Sequence, residues 1–506
     1  MIKKIHFFLL AGLVLALSAC HTNKTVTTSD SPKKREFRGA WIQSVNGQFM
    51  GMSTQQMQNT LSYQLDELAK DGCNAIIFQV RPECDALYES KLEPWSRYLT
   101  GEQGLAPAPY WDPLAWMITQ CHKRGMELHA WINPYRAKTK GTTSLSPKHI
   151  AVRKPGSVFT YDGMYILNPG QPENCDFICQ VVDDIVARYD IDGLHMDDYF
   201  YPYPAAGEVI ADDNEYRMYG GRFDNINDWR RNNVNLFIKQ VGETIHKRKP
   251  WVKFGISPFG IYRNGNGDAS GSLTKGLQNY NDLYADVVLW AKNGWIDYCV
   301  PQLYWQIGHP TADYKTLIKW WNDYCAQRPL YIGEDVERTA NYDDPDRPGQ
   351  NQMEAKMRLH SQMNNVQGTV LWYAKAAVDN VGNYGSRLRT NYWKAPALLP
   401  QMPFIDDKAP GHPTKLKGVW TSDGYMLFWK APKGKSWNDA PYKYVIYRFS
   451  KEKEINLADP THIVAVTTDD FYKLPYNDGK STYYYVVTTL DRMSNESKGA
   501  VAKIKL

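Results

Sequence analysis

The chain has 506 residues, with 59 Lys and Arg against 54 Asp and Glu, so its formal net charge is only +5 at neutral pH. The basic residues form no stripe and no arginine-rich arm, which argues against a nucleic-acid partner. Aromatic residues are abundant, with 34 Tyr, 17 Trp and 16 Phe. Aromatic rings fill protein cores, and their faces also suit the C–H faces of sugars, so the composition favours a carbohydrate partner.

The N-terminus is predicted to be a targeting segment. A basic start is followed by an apolar run over 7–17, which is too short to span a bilayer as a helix. The run ends in LSAC at 17–20, which resembles a bacterial lipobox and implies a signal peptide over 1–19 and a lipid-modified Cys20. A polar tether over 20–35 follows. Because His21 rather than Asp follows the cysteine, we expect a cell-envelope protein anchored to the outer membrane by lipid.

From residue 37 onward, short apolar runs alternate with amphipathic helical patterns. The predicted strands cover 37–45, 73–80, 126–133, 191–196, 252–258, 296–304, 330–333 and 368–373. The predicted helices cover 54–70, 113–124, 177–189, 229–247, 283–292, 314–326 and 352–363. Apolar strands alternating with helices indicate parallel strands covered by helices. Eight such units predict a closed α/β (β/α)₈ TIM barrel over 36–400. The alternative is an open doubly wound sheet, but no glycine-rich phosphate loop follows the first strand.

The pattern changes near residue 400. A proline-rich linker is predicted over 401–413, and 414–506 has the texture of a small β-sandwich. Its predicted strands cover 425–429, 444–448, 463–466 and 483–487. The segments 429–432 and 483–497 resemble a fibronectin type III module, which implies a spacer or docking role for this region.

The sequence places two adjacent carboxylates, Asp197 and Asp198, at the end of the fourth predicted strand. Reactive groups of a (β/α)₈ barrel lie at the C-terminal ends of its strands. Burial and mutual repulsion raise the pKa of one carboxyl and leave the other ionised, which suits a proton donor beside a fixed charge. We therefore take Asp198 first and Asp197 second as catalytic residues. The structural alternative is a strand-end turn capped by Asp.

Other strand ends supply further candidates. Glu83 is the third catalytic candidate, and Glu83, Asp85 or Glu334 would partner the aspartates in a scheme with well-separated carboxylates. The substrate-contact candidates, each of which also suits a structural role, are Arg81, Asn133, Tyr135, Tyr199, Tyr304, Trp305 and Trp372. We expect no cofactor and no metal, since no Cys or His spacing of a metal site is present.

Four segments in order resemble the glycosyl hydrolase-like 10 family. They are 37–41 (FRGAW), 79–82 (QVRP), 128–136 (LHAWINPYR) and 192–199 (DGLHMDDY). The resemblance covers 36–400 and implies a (β/α)₈ barrel in a bacterial envelope lipoprotein. Characterised relatives include a hydrolase of denuded peptidoglycan glycan strands, so the resemblance implies a β-1,4-linked amino-sugar substrate.

The aspartate pair also resembles that of the substrate-assisted N-acetylhexosaminidases, such as glycoside hydrolase family 84. That resemblance implies that Asp197 steadies the substrate acetamide and Asp198 is the acid/base, or the reverse order. The similar motif of family 18 chitinases carries Glu at the position of Tyr199, so their acid is missing here.

Two other classes of function stay open. A metal-dependent deacetylase would use His195 and Asp197, which share a strand face, together with a third ligand that no spacing supplies. A non-catalytic glycan-binding lipoprotein would use the same aromatic residues without cleaving the glycan.

Overall fold

The computed structural model describes residues 32–325 and 327–506. The predicted signal peptide, Cys20 and most of the tether lie outside these residues. Among the described helices, none is both long enough and apolar enough to cross a membrane.

Eight parallel strands close into a barrel whose spatial order follows the sequence. The strands are β1 (Phe37–Ile42), β2 (Ala75–Arg81), β3 (Glu127–Ile132), β4 (Gly193–Met196), β5 (Lys253–Ile256), β6 (Tyr298–Cys299), β7 (Leu330–Asp335) and β8 (Val366–Trp372). The main helices between them are α1 (Thr54–Lys70), α2 (Pro113–Lys123), α3 (Pro172–Arg188), α4 (Ile226–Arg248), α5 (Val287–Asn293), α6 (Tyr314–Tyr324) and α7 (Met353–Gln362). The predicted (β/α)₈ fold is confirmed, and the open sheet is excluded.

The amphipathic pattern of α1 explains how its helix forms and packs. Ser53 caps its first turn in a capping box with Gln56, and Met57, Leu61 and Leu65 bury one face. Every residue of β1, β2 and β3 is buried, as expected for strands with side chains in the lumen on one side and against helices on the other.

The sixth strand is shorter than predicted. The sequence predicted 296–304, whereas β6 contains only Tyr298–Cys299. Pro301 has no backbone N–H to donate, so the ladder stops before it. Pairing resumes at Gln302, which forms isolated bridges to Phe259 and Gly333.

Long loops after the strands carry structure of their own. The loop after β3 folds into a small antiparallel sheet of Arg136–Lys138, Val158–Tyr161 and Met164–Leu167. The loop after β4 contains a short helix, Asp213–Tyr219. Both loops lie at the C-terminal ends of the strands, where they enlarge one face of the barrel.

The lumen of the barrel contains a chain of polar side chains. Lys253 Nζ donates to Glu127 Oε1 at 2.6 Å, and Glu127 Oε2 lies 3.0 Å from His129 Nε2. His129 Nδ1 is 2.7 Å from the Tyr298 hydroxyl, which is 3.0 Å from His195 Nδ1. These residues are buried, and each one contacts the next within hydrogen-bonding distance, so their polar groups are satisfied without water.

After the barrel, the chain forms two further antiparallel sheets. One contains Thr414–Thr421, Gly424–Lys430 and Phe471–Lys473, and the other contains Lys443–Phe449, Ile463–Thr467, Thr482–Leu490 and Ala500–Lys505. The strands at 414, 471 and 500 were not predicted, because they are short or rich in Lys and Gly. The assignment to fibronectin type III and the domain boundaries stay predictions.

These sheets dock on the base of the barrel, the end opposite its C-terminal strand ends. Asp192, which precedes β4, accepts a hydrogen bond from the Tyr442 hydroxyl and lies 2.8 Å from His122 Nε2. Arg492 pairs with Asp190 at 2.8 Å. One segment of sequence therefore anchors the C-terminal sheets at its start and carries the aspartate pair at its end.

Candidate active site

A cavity of about 360 Å³ opens at the C-terminal ends of the barrel strands. Its volume lies at the lower end of the range of small-molecule sites. The residues that line it are Trp41, Val45, Trp131, Arg136, Asp197, Asp198, Tyr199, Tyr203, Ser257, Phe259, Gln302, Tyr304, Trp305, Arg338 and Trp372.

Asp197 is held by one of its two carboxylate oxygens. Asn133 Nδ2 donates to its Oδ2 at 2.5 Å, and Arg136 in turn donates to Asn133 Oδ1 at 2.6 Å. The other oxygen, Oδ1, is buried and has no hydrogen-bond partner within the described chain. Burial raises the pKa of Asp197 to about 6, against the opposing charge of Arg136. The site thus contains a buried carboxylate oxygen that no group of the described chain satisfies.

A relay of amides across the first strands fixes Asp197. Asn133 Oδ1 also accepts from Gln79 Nε2 at 2.5 Å. Gln79 Oε1 accepts from the backbone amides of Ser44 and Val45 at 2.8 and 2.9 Å. The ends of β1, β2 and β3 are therefore linked to the end of β4, and the position of Asp197 does not depend on its own loop alone.

Asp198 has a different environment. The Tyr203 hydroxyl donates to its Oδ2. Burial, and then the neighbouring charge of Asp197, raise the pKa of Asp198 to about 7. Because this pKa lies above that of Asp197, Asp198 is the better suited of the two to hold a proton, and Asp197 the better suited to be ionised.

Aromatic rings form the walls of the cavity. Tyr199 and Tyr203 stack at 5.1 Å between ring centroids, and the Arg136 guanidinium lies 5.2 Å from the Tyr199 ring. Tyr304 and Trp372 stack at 6.1 Å. Flat apolar faces beside carboxylates are the surfaces that a sugar ring needs.

His195 lies beneath the cavity and is not part of its lining. Its Nε2 lies 3.3 Å from Trp41 Nε1 and 3.1 Å from Ser257 Oγ, and its Nδ1 faces Tyr298. Burial, followed by the nearby His129, holds the pKa of His195 well below its usual value. Both ring nitrogens are engaged, and within residues 32–325 and 327–506 no group of three or more potential ligands could complete the metal site of a deacetylase.

The structure brings together six of the ten residues predicted for the site. Asp197, Asp198, Tyr199, Tyr304, Trp305 and Trp372 all line the cavity. Asn133 does not line it but holds Asp197.

Glu83 does not reach the cavity. Its carboxylate accepts from Thr139 N at 2.6 Å and from Thr142 Oγ1 at 2.7 Å, and Arg97 Nε lies 3.4 Å away. Glu83 is fully buried and pins the loop after β3 to the loop after β2. These contacts do not support a catalytic role.

Arg81 and Tyr135 also point elsewhere. Arg81 pairs with Glu93 at 2.6 Å and is fully buried, and the Tyr135 ring packs on Phe237 of α4 at 4.9 Å. A register shift between Gln79 and Arg81 marks a bulge at the end of β2. The bulge changes the alternation of side chains, so Gln79 serves the site and Arg81 does not.

Glu334 and Asp85, the other two carboxylates considered as partners of the aspartate pair, also make structural contacts. Glu334 pairs with Lys356 at 3.0 Å and lies 3.2 Å from His360. Asp85 accepts from Gln103 at 3.0 Å. Neither lines the cavity, so the scheme with well-separated carboxylates has no second carboxylate among these candidates.

Several cavity residues were absent from the predicted set. Trp41, Trp131 and Gln302 stand at or just beyond strand ends, so their position along the sequence was a usable signal. Tyr203 and Arg338 come from segments beyond β4 and β7, and no local pattern indicates that they turn back to the mouth.

The chain is similar to known proteins in sequence and, more distantly, in structure. The sequence model of the Glycosyl hydrolase-like 10 family matches residues 36–345. The chain is 40% identical to glycosyl hydrolase YngK of Bacillus subtilis over 486 residues, covering 93% of this chain and 94% of that protein. It is 36% identical to glycosyl hydrolase DigH of Escherichia coli K12 over 359 residues, covering 64% and 81%. Among solved structures, the PgaB (BpsB) glycoside hydrolase domain from Bordetella bronchiseptica matches with a TM-score of 0.47 and 11% identity, covering 71% of this chain and 99% of that one.

Proposed function

Because the chain belongs to the Glycosyl hydrolase-like 10 family, we propose that it hydrolyses β-linked amino-sugar polysaccharide of the cell envelope, with peptidoglycan glycan strands as the substrate. The observation that carries the proposal is the pair Asp197 and Asp198 in a ring-lined cavity, with one Asp197 oxygen left unpaired. The family resemblance supports the choice of glycan, and the site chemistry supports an acetamido sugar.

The geometry supports a substrate-assisted mechanism. Asp197 Oδ1 accepts the N–H of the 2-acetamido group and orients it. The acetamide oxygen then attacks the anomeric carbon while the glycosidic C–O bond breaks, and Asp198 gives its proton to the leaving oxygen. In the second step Asp198 takes a proton from water, whose oxygen attacks the anomeric carbon and opens the cyclic intermediate. The sugar leaves with its original anomeric configuration.

The environments of the carboxyls support this order of the two roles. Burial and the charge of Asp197 raise the pKa of Asp198 to about 7, so this carboxyl is partly protonated near neutral pH. Asp197, with a pKa of about 6 and Arg136 nearby, is ionised under the same conditions. An ionised Asp197 also stabilises the positive charge that develops on the acetamide nitrogen.

The decisive experiment is an assay of the purified protein on peptide-stripped peptidoglycan and on chitin oligomers, with mass spectrometry of the products and NMR of their anomeric configuration. We expect cleavage with retention, unaffected by EDTA. Asp197→Asn and Asp198→Asn should each abolish most of the activity, whereas Asp183→Asn, on the outer face of α3, should not. Inversion would exclude the acetamide mechanism. Binding of both glycans without any cleavage would favour the glycan-binding alternative.

We also propose that the protein is held at the outer membrane by a lipid on Cys20. The proposal rests on the lipobox-like segment 17–20. Palmitate labelling of cells that express the full chain should mark the protein, and Cys20→Ser should remove the label. A Cys20→Ser protein that keeps the label would contradict the proposal.

A further inference from the structure

The cavity contains a second arginine whose side chain donates no hydrogen bond within the described residues. Arg338 lies in the short helix Val336–Asn341 after β7 and lines the same cavity as the aspartate pair. Its side chain is 57% exposed, and its closest carboxylate contact joins Nε to Asp335 Oδ2 at 3.6 Å. That distance is longer than a hydrogen bond. The two terminal nitrogens of Arg338 therefore remain available.

The other cavity arginine differs in this respect. Arg136 Nε donates to the Pro82 carbonyl at 3.0 Å, and its Nη2 donates to Asn133 Oδ1 at 2.6 Å. Arg136 is committed to holding Asp197 through Asn133, whereas Arg338 is loosely held. Of the two cavity arginines, Arg338 is therefore the less constrained and the better placed to engage a ligand.

The charges of the cavity favour an anion at Arg338. When Asp198, whose pKa is raised to about 7, holds its proton, the lining carries two guanidinium groups against the single negative charge of Asp197, and Asp335 beside Arg338 lies outside the lining. In the closed strand order β5 and β6 separate β7 from β4, so Arg338 and the aspartates stand on different walls of the mouth. An anionic group bound at Arg338 would thus lie against a different wall of the mouth from the carboxylates of Asp197 and Asp198.

We infer that Arg338 binds a carboxylate of the glycan and makes the site selective for acidic acetamido-sugar polymers over neutral ones. The inference rests on the proposed function and adds a specificity residue to it. A planar guanidinium with free terminal nitrogens matches a carboxylate through two parallel hydrogen bonds, which a lysine does not reproduce. The lactyl ether carboxylate on peptide-stripped glycan strands is a group of this chemistry.

The test compares one polymer in two charge states. Peptide-stripped glycan strands are assayed as they are and after carbodiimide amidation of their carboxylates, so that chain length and acetamido groups are the same. We expect the wild-type KM to be about tenfold lower for the acidic polymer. Arg338→Gln should remove most of that difference, and Arg338→Lys should restore it only in part. Arg347→Gln, an exposed arginine beyond the cavity lining, is the matched control and should behave as wild type.

The outcomes separate this inference from the proposed function. A wild-type enzyme that cleaves both polymers with equal KM, or an Arg338→Gln loss of the same size on both, overturns the role of Arg338 while the hydrolase proposal stands. If neither polymer is cleaved, the hydrolase proposal fails, and binding of the two polymers by calorimetry decides the inference. Tighter binding of the acidic polymer that Arg338→Gln abolishes supports it, and equal binding contradicts it. Thermal unfolding of each variant identifies any loss that comes from misfolding.

Discussion

The two ends of β4 carry aspartates in opposite electrostatic situations. At the base, burial alone would raise the pKa of Asp192, but the charge and hydrogen bond of His122 and the charge of Lys443 more than offset it, so its pKa is well below the usual value. At the mouth, burial raises the pKa of Asp197 to about 6 and that of Asp198 to about 7. The short segment around β4 therefore carries one carboxylate that stabilises the fold when ionised and two that destabilise it when ionised.

The stability of the fold therefore depends on pH in opposite ways at the two ends of β4. Asp192, with its depressed pKa, stabilises the fold above the ordinary carboxyl pKa of 3.8, and that contribution is lost as the pH falls toward its lower folded-state value. Asp197 and Asp198, with raised pKa values, bind protons more tightly in the folded state. Their ionisation therefore lowers the free energy of unfolding as the pH rises from about 4 to about 7. The comparison shows that the aspartate at the base of the barrel stabilises the fold when it is ionised, whereas the two at the mouth destabilise the fold when they are ionised.

The largest expected effect is at the mouth. Asp198→Asn removes the proposed proton donor, so kcat should fall by about 10²- to 10⁴-fold. Because the substitution also removes a buried charge at alkaline pH, the midpoint of thermal unfolding at pH 8 should be equal to or above that of the wild type. An Asp198→Asn protein that is both active and less stable would contradict the contrast between the two ends.

The counterpart at the base should reverse this pattern. Asp192→Ala leaves His122 and Arg492 without their buried carboxylate, so the free energy of unfolding should fall by about 3–5 kcal/mol. Denaturant unfolding measures this loss, and kcat of the folded protein should be unchanged. Asp190→Ala removes only a half-exposed partner of Arg492 and should cost about 0–1 kcal/mol. Equal losses in the free energy of unfolding for the two variants would show that burial does not determine how much each docking contact stabilises the fold.

The activity of the wild type should depend on pH in a bell shape. The proposed mechanism needs Asp197 ionised and Asp198 protonated, so kcat/KM should be maximal between about pH 6 and pH 7 and fall about tenfold per unit on either side. The two limbs belong to the pair, since the carboxyls are coupled. Activity that stays constant up to pH 9 would mean that neither carboxyl is the acid.

The smallest effect concerns the hydrogen bond to Asp198. The Tyr203 hydroxyl lowers the pKa of Asp198, so Tyr203→Phe should shift the alkaline limb to higher pH and lower kcat/KM by about fivefold, as expected for one hydrogen bond. Tyr199→Phe keeps the stacked ring next to Tyr203 and should leave the limb in place. A shift in both variants would assign the effect to the ring pair and not to the hydroxyl.

The barrel could be predicted because its strands are buried on two sides and its helices on one, which gives each a distinct apolar pattern. The aspartate pair followed from the same logic, since the end of β4 must lie at the mouth. Arg81 was predicted to contact the substrate, but a bulge after Gln79 turns its side chain away from the cavity. The bulge depends on pairing with β3, which no local pattern reveals. Tyr203 and Arg338 were missed because loop paths are set by tertiary contacts.

The polar chain in the lumen has a consequence for hydrogen positions. An indole nitrogen can only donate, so Trp41 at the cavity wall requires an accepting Nε2 on the neutral His195. The hydrogen of His195 then sits on Nδ1 and points to the hydroxyl oxygen of Tyr298. Because the indole of Trp41 cannot accept a hydrogen bond, the other tautomer of His195 would place two N–H groups against each other, so the wall of the cavity fixes the tautomer of the imidazole beneath it.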